Sequence, residues 1–217
     1  MTTAQLSLEH VLRPSSMANK APLIVMLHGY GSDENDLFSF ASYLPKEYTI
    51  VSAKAPYKLQ PYGNAWYAIN FDSNQNKFND NAQAVSSRDK IKEFVLEAIN
   101  AYNIDEKNVT LLGFSQGTIL SFATALTYPQ LVKNVIGLSG YIDKDMIDFK
   151  TIQEYDRLNI YNSHGRMDQV IPVSWAQKTP EILDTLSIKH TYKEFESAHG
   201  VSQDNFLDFL NWLKKNN

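Results

Sequence analysis

The chain has no cysteine, which removes disulfides, a thiolate nucleophile and every thiolate metal site at once. It also lacks a basic surplus: 20 Lys and Arg stand against 24 Asp and Glu, a formal charge of −4. Nothing in that balance would neutralise phosphates, so nucleic acid is not an expected partner. No apolar stretch reaches the roughly 18–20 residues that a membrane-spanning helix needs. The N-terminal MTTAQLSLEHVLRPSSMANKAP has no basic stretch followed by an apolar run, so no signal peptide is expected. A cytoplasmic location is the resulting expectation, and the missing cysteines suit it. With neither H-x-x-H nor HExxH present, no metal and no cofactor are expected.

What the chain does have is alternation. Short runs dense in aliphatic and β-branched residues stand at 22–28 (PLIVMLH), 48–53 (YTIVSA), 109–114 (VTLLGF), 135–138 (VIGL) and 158–161 (LNIY). Unbroken apolar runs of this length predict strands buried on both faces, as in a parallel sheet. Residues 190–195 (HTYKEF) alternate instead, which predicts a strand nearer the sheet edge. Helical patterns occupy 87–102, 117–128, 174–186 and 201–215. In the first, Ile91, Phe94, Val95 and Ala98 share one face. The second, GTILSFATALTY, carries no charge and is predicted to be buried, while the last ends in Lys214 and Lys215, as a helix C-terminus prefers. Strands alternating with helices predict an α/β fold in a single domain over 1–217, a mostly parallel twisted sheet with helices on both faces. Residues 55–87 break the rhythm and show no clear period. A connection this long inside a compact domain points to function or disorder, and Tyr57, Tyr62, Trp66, Tyr67, Phe71 and Phe78 within it argue against disorder.

Gly113-Phe114-Ser115-Gln116-Gly117 is a G-x-S-x-G that closes a buried run and opens the chargeless helix. That placement suits a nucleophile elbow, in which a strained strand–helix turn projects the serine hydroxyl from the sheet edge. A serine hydroxyl needs a base to take its proton. Of His10, His28, His164, His190 and His199, the last follows the final strand and precedes the final helix, so the chain order serine, acid, histidine selects His199. His28 and His164 both end strands and could lie near the site, with a turn-fixing hydrogen bond the expected role of His28. His10 and His190 read as structural. Asp168 follows the LNIYNSHG strand end by a short loop and is the expected acid, with Asp143 and Asp145 as rivals. For an oxyanion hole, one donor is the backbone N–H of Gln116. The other comes from the loop LHGYGSD, with Tyr30 as the candidate.

Taken together, LHGYGSDENDL, GNAWY, GFSQG, HGRMDQVIP and SAHG, in this order, resemble the phospholipase/carboxylesterase family over residues 7 to 215. That family includes acyl-protein thioesterases and small bacterial carboxylesterases, and HGYGS is nearer the bacterial branch. The resemblance implies an α/β-hydrolase fold without a large lid domain, with Ser115 as nucleophile, Asp168 as acid, His199 as base, and Tyr30 and Gln116 as oxyanion donors. It also implies that the 55–87 loop, Trp66 included, walls an acyl pocket. Metal-independent cleavage of small-molecule esters follows, with thioesters and lysophospholipids as further substrates, and so does a weak homodimer. A non-catalytic binding protein on the same fold and a serine peptidase are the competing functions.

Overall fold

The computed structural model describes residues 3–71, 77–149 and 154–216. In chain order its strands begin with β1 (His10–Arg13), β2 (Ala21–Leu27) and β3 (Thr49–Ala53). Two short hairpins follow, β4 (Tyr57–Lys58) with β5 (Asn64–Ala65), and β6 (Ile69–Phe71) with β7 (Lys77–Asn79). After them come β8 (Ile104–Phe114), β9 (Asn134–Leu138), β10 (Asn159–Gly165) and β11 (Lys189–Phe195). The helices are α1 (Asn81–Ala101), α2 (Gln116–Thr127), α3 (Val173–Ala176), α4 (Thr179–Thr185) and α5 (Gln203–Lys215), with 3-10 turns at Leu37–Phe40 and Lys144–Met146.

Seven strands make one sheet in the order β1-β3-β2-β8-β9-β10-β11, parallel throughout except for the antiparallel β1–β3 pair. The unbroken apolar runs have a direct reason. Along β2, Leu23, Val25 and Leu27 enter the core layer that contains Ile91 and Phe94 of α1 and Leu120 of α2. Ile24 and Met26 enter the opposite layer with Phe209 and Leu213 of α5. Successive strand side chains point to opposite faces, and here both faces are covered, so every residue of the strand is buried. The alternating segment forms β11 at the sheet edge, as its pattern predicts. No helix among the described residues is long and apolar enough to cross a membrane.

Some boundaries differ from the sequence reading. α1 starts at Asn81, ahead of the expected 87, because Asp80 accepts a hydrogen bond from the Gln83 N–H (3.0 Å) and caps the helix there. The helix expected over 174–186 is two pieces, α3 and α4. Pro180 sits in the first turn of α4 and has no N–H to continue a helix from α3. Residues 55–87 hold the two hairpins and the first turns of α1, with 72–76 and the Phe71 side chain outside the described residues. β1 was not foreseen; its four half-buried residues (HVLR) are ordered by pairing with β3.

Candidate active site

Ser115 lies between β8 and α2 with φ 54° and ψ −116°, in the left-handed half of conformational space. A non-glycine residue there is strained by about 1–3 kcal/mol and persists only when its surroundings over-determine it. They do so here. The Ser115 N–H donates to Leu138 O at 2.9 Å, and Ser115 O accepts from the Thr118 N–H at 3.0 Å. Thr118 Oγ1 also lies 2.7 Å from Gly113 O and accepts from the Leu138 N–H at 2.9 Å, joining the helix start to both flanking strands. The helix can sit this low only because residue 117 is glycine: a Cβ there would stand 1.9 Å from the Leu27 carbonyl oxygen.

Sequence order and space agree on the partners. His199 Nε2 is 2.9 Å from Ser115 Oγ, and His199 Nδ1 is 2.7 Å from Asp168 Oδ2. The carboxylate accepts, so Nδ1 carries the ring proton and the Nε2 lone pair faces the serine hydroxyl. The other carboxylate oxygen, Asp168 Oδ1, accepts from the Val170 and Ile171 N–H groups at 2.8 and 2.9 Å. The loops that carry the pair continue the β10–β11 register. The Arg166 N–H donates to Phe195 O at 2.9 Å and the Met167 N–H to Ser197 O at 3.0 Å. A Cβ on Gly165 would meet Ser197 O at 2.3 Å, so these backbones are in direct contact. The Phe114 ring, 5.0 Å from that of His199 between centroids, backs the imidazole.

The remaining histidines and acids have other partners. His28 is buried, accepts at Nε2 from the Ala55 N–H (3.0 Å), and therefore donates from Nδ1 to Gly29 O (2.7 Å). This is the turn-fixing bond expected of it. Burial pushes its pKa below the ordinary imidazole value, only partly countered by the bond to Gly29. His10 bonds Tyr102 and the Leu8 carbonyl, while His190 bonds the Ile188 carbonyl. Asp143 caps the 3-10 turn at Lys144–Met146 by accepting from the Asp145 N–H. His164 lies next to Asp168.

Ser115, Gln116, His199 and Tyr30 line one cavity of about 490 Å³ whose apolar walls come from Tyr67, Ile69, Phe78, Ile119, Tyr141 and Trp175. A larger open groove of about 780 Å³ lies on the far side of Tyr141 and Trp175 and contains neither Ser115 nor His199. Gln116 is the first residue of α2, so its N–H is among the donors that a helix start leaves unpaired. The loop that bears Tyr30 is held by β5: the Gly31 N–H donates to Asn64 O (2.9 Å) and the Asn64 N–H to Ser32 O (2.8 Å). Gly31 takes φ 81°, a conformation that favours glycine.

The structure corrects the place of Trp66. It was expected in the cavity wall; instead it is fully buried behind it, among the largest side chains with no exposure. Its Nε1–H donates to His28 O at 2.9 Å, its backbone N–H to Gln116 Oε1 at 2.8 Å, and its carbonyl accepts from the Ser87 hydroxyl. A buried indole N–H needs such a partner, and the carbonyl of a strand end supplies it. The neighbouring Tyr67, Ile69 and Phe78 take the wall position. The Gln116 side chain was missed by sequence reasoning: besides accepting from Trp66, its Nε2 donates to Tyr67 O at 2.8 Å, fastening the wall segment to the residue after Ser115.

A family model described as Phospholipase/Carboxylesterase matches residues 9–217. Acyl-protein thioesterase 1 of Candida albicans is 25% identical over 228 residues, covering 96% of this chain and 98% of the relative. Its Saccharomyces cerevisiae counterpart is 27% identical over 217 residues, covering 88% and 91%. Among solved structures, the Bacillus cereus carboxylesterase superposes with a TM-score of 0.85 at 16% identity, covering 97% of this chain and 95% of that one. At that identity the superposition speaks for the fold.

Proposed function

The chain belongs to the phospholipase/carboxylesterase family, and from that premise we propose that it hydrolyses carboxylic esters and thioesters with Ser115 as nucleophile, His199 as base and Asp168 as acid. The observation that carries this reading is the chain of contacts Ser115–His199–Asp168, at 2.9 and 2.7 Å, opening into an apolar cavity. Ser115 Oγ attacks the substrate carbonyl while His199 Nε2 takes the hydroxyl proton. The tetrahedral oxyanion accepts hydrogen bonds from the Gln116 and Tyr30 N–H groups, donors of a kind that contribute on the order of 3–4 kcal/mol each. Collapse breaks the bond to the alcohol or thiol, which leaves with the proton held on His199. Water then gives a proton to His199 and attacks the acyl-enzyme, and the acid departs as Ser115 recovers its own. Throughout, Asp168 keeps one imidazole tautomer and stabilises the imidazolium.

The acyl chain lies along Tyr67, Ile69 and Phe78, and short to medium chains are the preferred substrates. A fluorophosphonate probe with peptide mapping, alongside hydrolysis of p-nitrophenyl esters, tests the proposal. Labelling at Ser115, lost together with turnover in Ser115→Ala, is the expected outcome. A Ser115→Ala protein that keeps a tenth of the turnover would remove the serine mechanism.

A further inference from the structure

We infer that His164 is a positioning residue for the reaction: it holds the Asp168 carboxylate in the rotamer that faces His199 and does not itself touch substrate. The inference rests on Asp168 being the acid. His164 is the second-last residue of β10 and has no exposed surface. Its Nε2 lies 3.1 Å from Asp168 Oδ2 and 2.9 Å from Ile171 O. The Ile171 carbonyl oxygen can only accept, so Nε2 holds the proton and donates to it, while Asp168 Oδ2 rests against the same positive edge of the ring. Nδ1 meets no partner among the described residues, and the ring's polar connection to the protein therefore runs through Nε2 alone.

The consequence falls on Asp168. Its Oδ2 sits between two imidazoles, 2.7 Å from His199 Nδ1 and 3.1 Å from His164 Nε2, while Oδ1 takes the Val170 and Ile171 N–H groups. The terminal torsion of an aspartate is broad and roughly two-fold, so the two N–H groups on Oδ1 leave room for Oδ2 to swing out of line with His199. The edge of the His164 ring, with Nε2 at 3.1 Å from Oδ2, occupies that room and faces the carboxylate with the positive side of its N–H. Ile171 is held from both sides as well, its N–H on Asp168 and its carbonyl on His164. His164 thus closes the loop from the strand end to Ile171, three residues beyond the acid. An acid that drifts no longer fixes the tautomer of its histidine, and that loss appears in kcat.

The test is a series at position 164. Gln can present an N–H near the place of the histidine Nε2, Asn is too short to do so, and Phe fills the volume with no donor. His164→Phe should lower kcat on the order of 10–100-fold, the range seen when a group that orients a functional side chain from behind is removed, with KM changed by about twofold or less. His164→Gln should recover most of it. The downfield proton resonance of the His199 Nδ1–H bond should move in the Phe variant and return in the Gln variant. In an Asp168→Asn background, His164→Phe should cost nothing further, since it acts through the carboxylate. Equal kcat for wild type and the Phe variant, or fully additive losses, would overturn the inference. Should the Phe variant fail to fold, Gln against Asn decides, and equal kcat for those two overturns it. Failure of the underlying assignment looks different: Asp168→Asn alone would then turn over like wild type.

Discussion

The loops bearing Asp168 and His199 and the hairpin that walls the cavity both reach Ser115, yet they are built on opposite terms. The two loops prolong a parallel strand pair, touch backbone to backbone at Gly165 and Ser197, and enclose an Asp168 side chain with no exposure. The β6–β7 hairpin pairs only Ile69–Phe71 with Lys77–Asn79, stands apart from the main sheet, and leaves Phe78 51% exposed. The difference teaches that the Ser115–His199–Asp168 geometry is imposed by the scaffold, whereas part of the cavity's apolar wall, Ile69 and Phe78, rests on a small appendage. Rigid elements hold reacting groups to fractions of an ångström, and a two-stranded ribbon holds its residues more loosely. Chemistry and selectivity should therefore separate under mutation.

The largest effects belong to the rigid side. Ser115→Ala and His199→Ala should each lower kcat by roughly 10⁵–10⁶, and the double variant should be hardly worse than either, because the residues act as one unit. Both should melt close to wild type, while Ser115→Gly, free of the penalty at φ 54°, should melt higher. Losses that multiply in the double variant would mean that the two residues do not work together. Asp168→Asn should cost about 10⁴ in kcat, measured on the same ester. Full activity there would return the acid role to Asp143 or Asp145.

Trp66, bonded to His28, Gln116 and Ser87, belongs to neither region and should betray its true place by stability. Truncating a fully buried tryptophan costs about 3–5 kcal/mol, so Trp66→Ala should unfold at much lower denaturant. A normal midpoint with altered chain-length preference would instead put the indole in the cavity. On the soft side, Ile69→Ala and Phe78→Ala should leave acetate turnover and Tm nearly unchanged. With each buried methylene contributing about 0.8 kcal/mol, they should flatten the roughly fourfold rise in kcat/KM per added carbon. A profile already flat in the wild type would mean that the hairpin does not hold the chain.

The smallest effect is a pH dependence. Burial holds the His28 pKa below its ordinary 6.5, so on acidification the unfolded chain takes up a proton that the folded chain refuses. Stability therefore rises with pH below about 6.5 and falls as pH is lowered from 7 to about 5. The slope of Tm over that range should be shallower in His28→Asn, whatever its absolute Tm.

Much of this was legible in the sequence for a simple reason. Ser115 and the loops holding Asp168 and His199 each follow a strand whose pattern announces it, so the order of residues already is the order of parts. The split between α3 and α4 was legible too, had Pro180 been given its weight. Trp66 was not. An aromatic residue in an irregular segment looks the same whether it lines a cavity or lies behind it, and what buries this one comes from His28 and Gln116, 38 and 50 residues away. The contact of His164 with Asp168 is equally invisible from spacing, since four residues across a strand end and a turn can meet or diverge. β1 escaped because its pairing with β3, and no pattern of its own, makes it a strand.

The contact between Ser115 and His199 spans 84 residues of chain, and the strand that delivers His199 docks on the outer edge of the sheet. That contact therefore needs both the β8–α2 turn formed and β11 docked on β10. Under the proposed mechanism, a chain still emerging from the ribosome, or arrested with the edge strand undocked, has a serine with no base and hydrolyses nothing. Appearance of esterase activity during refolding is thus a clock for the last strand, and its lag behind the recovery of helical circular dichroism times that docking step.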